Sequence, residues 1–437
     1  MTFLRRSGGI FATNIVVTAL SMVAGIIIAR KLGPDLRGTW GLVLLATRAV
    51  GLLHLGLGPA ITYHTGRGDL DKRDLLTFTI VSALVLGVVF SSIFFVIYPH
   101  IPNIWEDVPT VIILIGIASV PFTFLLNFYR QFLMGMLKVM QSNVLDIIRV
   151  TVYLGSVIVL VLILNGKVLA TTISFTISVA IASIVGVSLL SRHLKPSPHL
   201  NLALMRPMFK YGLKAYLVII FHFLNYRFDI FLIKYFLTNS DVAFYQIAAG
   251  MAERMWYIPN ALSFVLVPTL LSMDKGSTKF TTKVCRNGFF VMLLLAVAVL
   301  IGTKYAVLLL YGEEYRPVTY ALYSILWGVT VTTVYKVIFA HFAAKNRLNI
   351  TIIAASFSLI MNLGLNIYMI PRFGIVGAGI STSLSQTVLT GILIVFFHRY
   401  EKVRLREILV PDREDFASYR RAIMKGLRRV HLIRGDR

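Results

Sequence analysis

Long apolar runs separated by short polar gaps make up most of this chain. Measured against the roughly 20 residues that a membrane-crossing helix needs, about twelve runs stand out. They fall at 9–29, 39–62, 75–98, 109–129, 144–164, 169–190, 209–236, 242–270, 286–310, 317–343, 350–370 and 374–397. Gly, Pro, Asn and charge punctuate them, as in LGPDLRG, GRGDLDKRD, YPHIPNIWED, SRHLKPSPHLN, YGEEYRP and PRFG. Only helices and closed barrels satisfy their backbones in lipid, and barrel strands would alternate polar and apolar residues, which these runs do not. The pattern predicts an all-α polytopic membrane protein of about twelve transmembrane helices.

The longest gap, Ser191 to Pro207, falls between the sixth and seventh runs. It predicts two six-helix lobes, 1–190 and 209–398, joined by a linker at 191–208 and followed by a tail at 399–437. Arg5 and Arg6 precede an apolar run that reaches Ala29 without a small-x-small cleavage site, which predicts a retained first span rather than a signal peptide. Cations collect in alternate gaps: Arg67, Lys72, Arg73, Arg130, Lys138, Arg192 and Lys195 lie on one side, with fewer on the other. The positive-inside rule then puts both termini in the cytoplasm and the protein in the cytoplasmic membrane.

Composition narrows the function. The chain is 57% hydrophobic and 14% charged, with a mean hydropathy of +0.79, whereas a soluble domain is about a quarter charged. Its net charge of +24 raises a nucleic-acid reading, but the cations sit in short loops and a tail, so no nucleic-acid partner is expected. The single cysteine, Cys285, excludes a disulfide within the chain. No HExxH, paired Cys, phosphate-cradling Gly loop or G-x-S-x-G occurs, and no gap before the tail could house a folded domain. The expectation is a non-enzyme with no catalytic residue, metal or cofactor.

The chemistry lies in charge inside the apolar runs. Seven cations (Arg48, Arg149, Lys214, Arg227, Arg254, Lys304 and Lys336) face three acids (Asp146, Asp229 and Glu253). An ionised group at bilayer depth is costly and normally faces a bundle interior or a wet cavity. Lys214 and Lys304 lie near helix ends and can snorkel, and Asp146 and Arg149, three apart, can satisfy each other. Arg227 and Asp229, two apart, point to different sides, so each needs a partner elsewhere. Arg48 and Arg254 lie about ten and twelve residues into their runs, near the midplane at a rise of 1.5 Å per residue. Arg48, Arg254, Lys336 and Arg227 are therefore the candidate ligands for an anionic substrate. Asp229, Glu253 and His222 are candidates for coupling or for inter-helix pairing; histidines in such runs are more often packed than proton-carrying. The halves also lie on one another: ARKLGPDLRGTWGLVLLATRAVG over KYFLTNSDVAFYQIAAGMAERMW places Arg48 within one position of Arg254, as in transporters built from repeats. In the tail, Phe416, Tyr419, Ile423, Leu427 and Val430 recur at helical spacing among cations, predicting a basic amphipathic helix on anionic lipids.

Four stretches resemble one family. LGPDLRGTWGL is similar to the "ARxLGPxxxGxY" signature of polysaccharide exporters in the multidrug/oligosaccharidyl-lipid/polysaccharide superfamily. RFDIFLIKYFLTNSDVAFYQIA resembles their seventh helix and following turn, and LLYGEEYRPVTYALYSIL their "LFGxxYxxA" connection. MNLGLNIYMIPRFGIVGAGISTSLS resembles their "xNLxLNxxLIPxxGixGAAiAT" stretch. The resemblance implies a two-lobed Wzx-type flippase that moves polyprenyl-diphosphate-linked oligosaccharide repeat units outward by alternating access, for O-antigen, capsule or another surface polysaccharide. It also implies arginines on the second and eighth helices gripping the pyrophosphate, the helices on which Arg48 and Arg254 fall. A polysaccharide polymerase and glycosyltransferases are the further partners it suggests. A cation-coupled drug antiporter of the same superfamily is the rival reading, though it would want acids in the cavity. A non-transporting scaffold or a membrane glycan polymerase is the alternative from a different class.

Overall fold

The computed structural model describes residues 3–101, 103–192, 194–273, 276–345, 347–412 and 415–416, without the side chains of 3–12, 214, 215, 217, 218, 222, 264, 268 and 348. The described chain is almost wholly helical. The elements are α1 (Phe3–Leu52), α2 (Leu57–Arg67), α3 (Lys72–Ile97), α4 (Thr110–Ala118), α5 (Val120–Gly135), α6 (Val139–Val157) and α7 (Val168–Ser191). There follow α8 (Met205–Phe236), α9 (Asn239–Met255), α10 (Tyr257–Leu271), α11 (Ser277–Leu310), α12 (Pro317–Ala344), α13 (Leu348–Glu401) and the short α14 (Leu405–Leu409). The expected amphipathic helix of the tail lies outside the described residues from 417 onward.

Among the described residues, 8 helices are long and apolar enough to cross a membrane. Two of them, Thr13–Leu52 and Asn349–Glu401, are 40 and 53 residues long; the second holds two of the expected runs and the first holds most of one and part of the next. Each is broken at a glycine, Gly33 (φ 72°) and Gly374 (φ 59°), beside Pro34 and Pro371. A positive φ is open to glycine at no steric cost, so the chain turns there without ending in a loop. LGPDLRG and PRFG thus each divide two helical segments where a gap was expected, without a longer loop between them.

Three other runs are interrupted within the expected span. Run 39–62 stops at Leu52 and resumes at Leu57 through Leu55 and Gly56, both at positive φ; the Gly56 amide donates to His54 Nδ1 at 3.0 Å. Runs 109–129 and 242–270 are divided at Ser119 and Trp256. Periodicity alone does not mark these divisions, because the apolar composition continues through them.

Burial runs opposite to that of a water-soluble protein. Val85, Val88, Val96 and Ile97 of α3, Ile301 and Leu309 of α11, and Ile353 and Ile360 of α13 are exposed. Hydroxyls and amides lie inside: Thr172, Ser174, Ser178 and Ser183 on α7, and Thr332, Thr333, Asn362, Asn366 and Gln386 on α12 and α13. Exposed apolar faces of this extent are stable against lipid, not water, and small polar residues between helices supply the hydrogen bonds that hydrocarbon cannot. Ser183 Oγ donates to the Phe122 carbonyl at 2.7 Å and Asn362 Nδ2 to Ser385 Oγ at 3.1 Å. The chain is a multi-pass membrane protein.

The helices form two compact units. One comprises residues 1–246 and 308–315 and packs α1 against α4, α6 and α7, α2 against α5 and α8, and α3 against α5. Its α2–α3 link is pinned by Asp69, whose Oδ1 lies 2.9 Å from His64 Nδ1; the hydrogen bond from His64 holds the Asp69 carboxyl below the usual carboxylate range. The other unit comprises 247–307 and 316–437 and packs α12 against α13 and α10 over a core of Leu266, Val334, Val337, Leu389, Leu393 and Phe397.

Candidate functional site

In the first unit the break at Gly33 restarts α1 so that Arg37, Trp40 and Arg48 follow on one helical segment. On α6, Arg149 and Tyr153 are one turn apart and share a face. Tyr153 is hydrogen-bonded by Trp40 and lies in the electrostatic reach of Arg37, Arg149 and Arg48. Arg48 is exposed on this unit, while Arg37 is half-buried and donates from Nη1 to Gln246 Oε1 at 3.3 Å. The nearby acid, Asp146, forms its ion pair with Arg130 of α5 at 2.5 Å. Arg149, the partner expected from spacing, stays in the electrostatic reach of Asp146 and also of Tyr153, so Asp146 serves two guanidinium groups.

The other sequence-derived candidates in this unit divide. Asp229 is buried; its Oδ1 accepts from the Ile230 amide at 2.8 Å, and the Tyr245 hydroxyl donates to its Oδ2 at 2.5 Å, tying α8 to α9. Arg227 is half-buried two residues earlier on α8. The His222 side chain lies outside the described residues.

In the second unit Glu253 and Arg254 occupy the last turn of α9, both half-buried. Arg254 Nη1 donates to the Gly250 carbonyl at 3.2 Å. Lys336 reaches from α12 to this region: Nζ donates to Asn260 Oδ1 at 2.6 Å and lies 4.6 Å from the centroid of the Trp256 ring, with Glu253 in electrostatic range. The structure thus brings Lys336 and Glu253 together around Trp256 and Asn260. A cation over an indole face gains about 0.5–2 kcal/mol, more when desolvated. Replacing Trp256 by Leu is therefore expected to lower the thermal midpoint by a few degrees, measured by unfolding in detergent, and a midpoint equal to wild type would show that the ring does not hold Lys336.

Four residues of these clusters escape sequence reasoning: Arg37, Tyr153, Trp256 and Asn260. Arg37 stands in a stretch that reads as a loop. For the others a signal existed, since Tyr153 is four residues after Arg149, and Trp256 and Asn260 follow Glu253 at three and seven, all helical-face spacings. Among the described residues no group of His, Cys, Asp and Glu could hold a metal ion.

A family model described as polysaccharide biosynthesis protein matches residues 27–320, two thirds of the chain and both clusters except Lys336. The chain belongs to this family. The family member is 26% identical over 264 residues to the "Probable low-salt glycan biosynthesis flippase Agl15" of Haloferax volcanii. That match spans 59% of this chain and 55% of the relative, so the chain covers about half the length of the curated relative. In fold, it is similar to the structure titled "Lipid II flippase MurJ, inward closed conformation", with a TM-score of 0.78 and 13% identity over 93% of this chain and 89% of that one. It is also similar to an outward-facing multidrug resistance MATE family transporter of the MOP superfamily, with a TM-score of 0.64 and 14% identity over 91% and 94%. The architecture is that of these transporters.

Proposed function

We propose that the chain is a flippase that carries polyprenyl-diphosphate-linked oligosaccharide repeat units from the cytoplasmic to the outer leaflet for surface polysaccharide assembly. It does so without covalent chemistry. Two six-helix lobes, 1–190 and 209–398, alternate access with both termini in the cytoplasm.

The observation that carries the reading is the gathering of cations about few acids on the membrane helices. Arg37, Arg48 and Arg149 gather about Tyr153 while Asp146 is engaged by Arg130, and Arg254 and Lys336 stand in the other unit with Glu253. A diphosphate crossing hydrocarbon needs such donors, and guanidinium forks match phosphate oxygens in geometry and charge. The family's link to polysaccharide biosynthesis and the naming of a relative as a glycan flippase support the same substrate class.

A cation-coupled antiporter would need a titratable acid free to exchange its proton. Asp229 instead accepts from Tyr245 and from a backbone amide within a buried contact, which favours a role in holding α8 to α9. The tail beyond residue 416 is proposed to lie on anionic lipid, and a polymerase and glycosyltransferases are proposed neighbours in assembly.

The test is depletion of the protein in its own cells. Lipid-linked oligosaccharide should accumulate with its glycan inaccessible to an externally added glycosidase, and surface polysaccharide should fall. Unchanged surface polysaccharide with no accumulated intermediate would overturn the reading.

A further inference from the structure

A cavity of about 660 Å³ opens at one end of the first unit, lined beside Arg37 by Leu36 and Thr39. Four connections build it: the α1 break, the α3–α4 link, the start of α7 and the α8–α9 turn. Its size is that of ordinary small-molecule sites, roughly 300–1,000 Å³. Its polar lining includes Asp35, Thr39, Asp107, Lys167, Lys234 and Asn239.

The charge of this lining cancels, two carboxylates against two ammonium groups. Lys234 is buried, with its side chain 6% exposed, and its Nζ donates to Asp107 Oδ2 at 2.7 Å. Asn239 is 6% exposed; its Nδ2 stands 3.5 Å from Thr39 Oγ1, and its Oδ1 accepts no hydrogen bond. Thr39 and Asn239 thus tie the α1 break to the α8–α9 turn on one side of the cavity. Leu36, Ile112 and Leu237 add apolar wall.

We propose that this cavity is a saccharide site, binding one or two uncharged sugar units of the glycan. A neutral lining disfavours a diphosphate, for which the clusters above are suited. The carboxylate, ammonium and hydroxyl groups of the lining match sugar hydroxyls or an acetamido group, and its aliphatic side chains match the C–H face of a pyranose. The connections that form the site follow odd-numbered runs, at the end where the positive-inside rule puts the outer face, so a sugar held there has left the cytoplasmic side. The source of the ligand rests on the flippase reading; the chemistry of the site does not.

The experiment uses the full chain in lipid nanodiscs with N,N′-diacetylchitobiose as probe, read by saturation-transfer NMR. The wild type should transfer saturation to the sugar. Asp35→Leu, which removes a charged group of the lining, and Leu169→Trp, which fills the cavity from an exposed position on α7, should each weaken binding by about tenfold or more at unchanged thermal midpoint. Val85→Ala, on the exposed face of α3, should bind as wild type. Absence of signal with the wild type, or wild-type binding by Leu169→Trp, overturns the proposal. The probe carries no lipid or diphosphate, so loss of the sugar signal in a protein that still translocates lipid-linked glycan condemns this site alone. Sugar binding by a protein that fails to translocate would instead count against the flippase reading.

Discussion

Alanine at Arg254 or at Arg48 is expected to abolish surface glycan and to accumulate lipid-linked repeat units inside the cell, with the protein at its normal level. Each arginine lies inside an apolar run at the end of a helix, Arg254 half-buried on the last turn of α9 and Arg48 exposed near the end of α1 beside the Tyr153 cluster. A hydrogen bond to a charged group contributes about 1.5–3 kcal/mol, and a guanidinium makes two such bonds to a phosphate. At 1.4 kcal/mol per decade, losing one fork weakens the grip by roughly a hundredfold or more. Lysine keeps the charge but not the fork, so Arg254→Lys and Arg48→Lys should recover only part of the export. The measurement is lipid-linked oligosaccharide per cell against surface polysaccharide, with protein level followed by immunoblot. Normal export in both alanine variants would sink the idea that these arginines grip the diphosphate. Loss of protein together with loss of export would assign them to folding.

The second large effect concerns Gly38. A Cβ at this position would lie 1.7 Å from the Asn239 carbonyl oxygen and 2.4 Å from its carbon, both backbone atoms that cannot rotate away. Here α1 meets the α8–α9 turn at backbone contact, and the neighbouring Gln246 completes the join by donating from Nε2 to the Gly41 carbonyl at 3.1 Å. Gly38→Ala must push the two segments apart, and overpacking of this kind costs typically about 1–3 kcal/mol. Gly25→Ala on the same helix is the control. Nothing lies within 4 Å of its Cβ, so that change should be neutral or slightly stabilising through the higher helix propensity of alanine. Thermal unfolding of both variants in the same detergent makes the comparison. Equal midpoints for Gly38→Ala and wild type would mean that the contact relaxes without cost.

Much of the fold was legible because a bilayer imposes a coarse rule. Each expected run, from 9–29 to 374–397, lies largely on helix, since about 20 apolar residues have no other stable arrangement in lipid. The breaks were less legible. LGPDLRG and 53–56 both divide helical segments at a glycine of positive φ, Gly33 and Gly56, but only the first lies between two expected runs. Each stretch also meets another helix at backbone contact: a Cβ would lie 1.7 Å from the Asn239 carbonyl oxygen at Gly38 and 2.0 Å from the Gly212 carbonyl oxygen at Gly56, neighbours that composition does not announce.

The candidate site followed the same division. Arg48, Arg227, Arg254 and Lys336 were conspicuous because charge inside an apolar run is costly wherever the helix packs. Arg37 and Tyr153 were not: one stood in an apparent loop, and the other is an ordinary residue of an apolar run until α1 carries two arginines to it. Nor could spacing foresee that Asp146 would turn to Arg130 on α5.

By itself, then, the sequence determined a helical membrane protein with an excess of buried cations, because hydropathy and charge act locally and survive any arrangement of the helices. Only the tertiary structure decided which charges meet, where Lys336 rests and that Asp35, Asp107, Lys167 and Asn239 line one cavity. Those depend on residues from different helices arriving within about 3 Å of one another, a distance that hydrogen bonds require and helical periodicity does not encode.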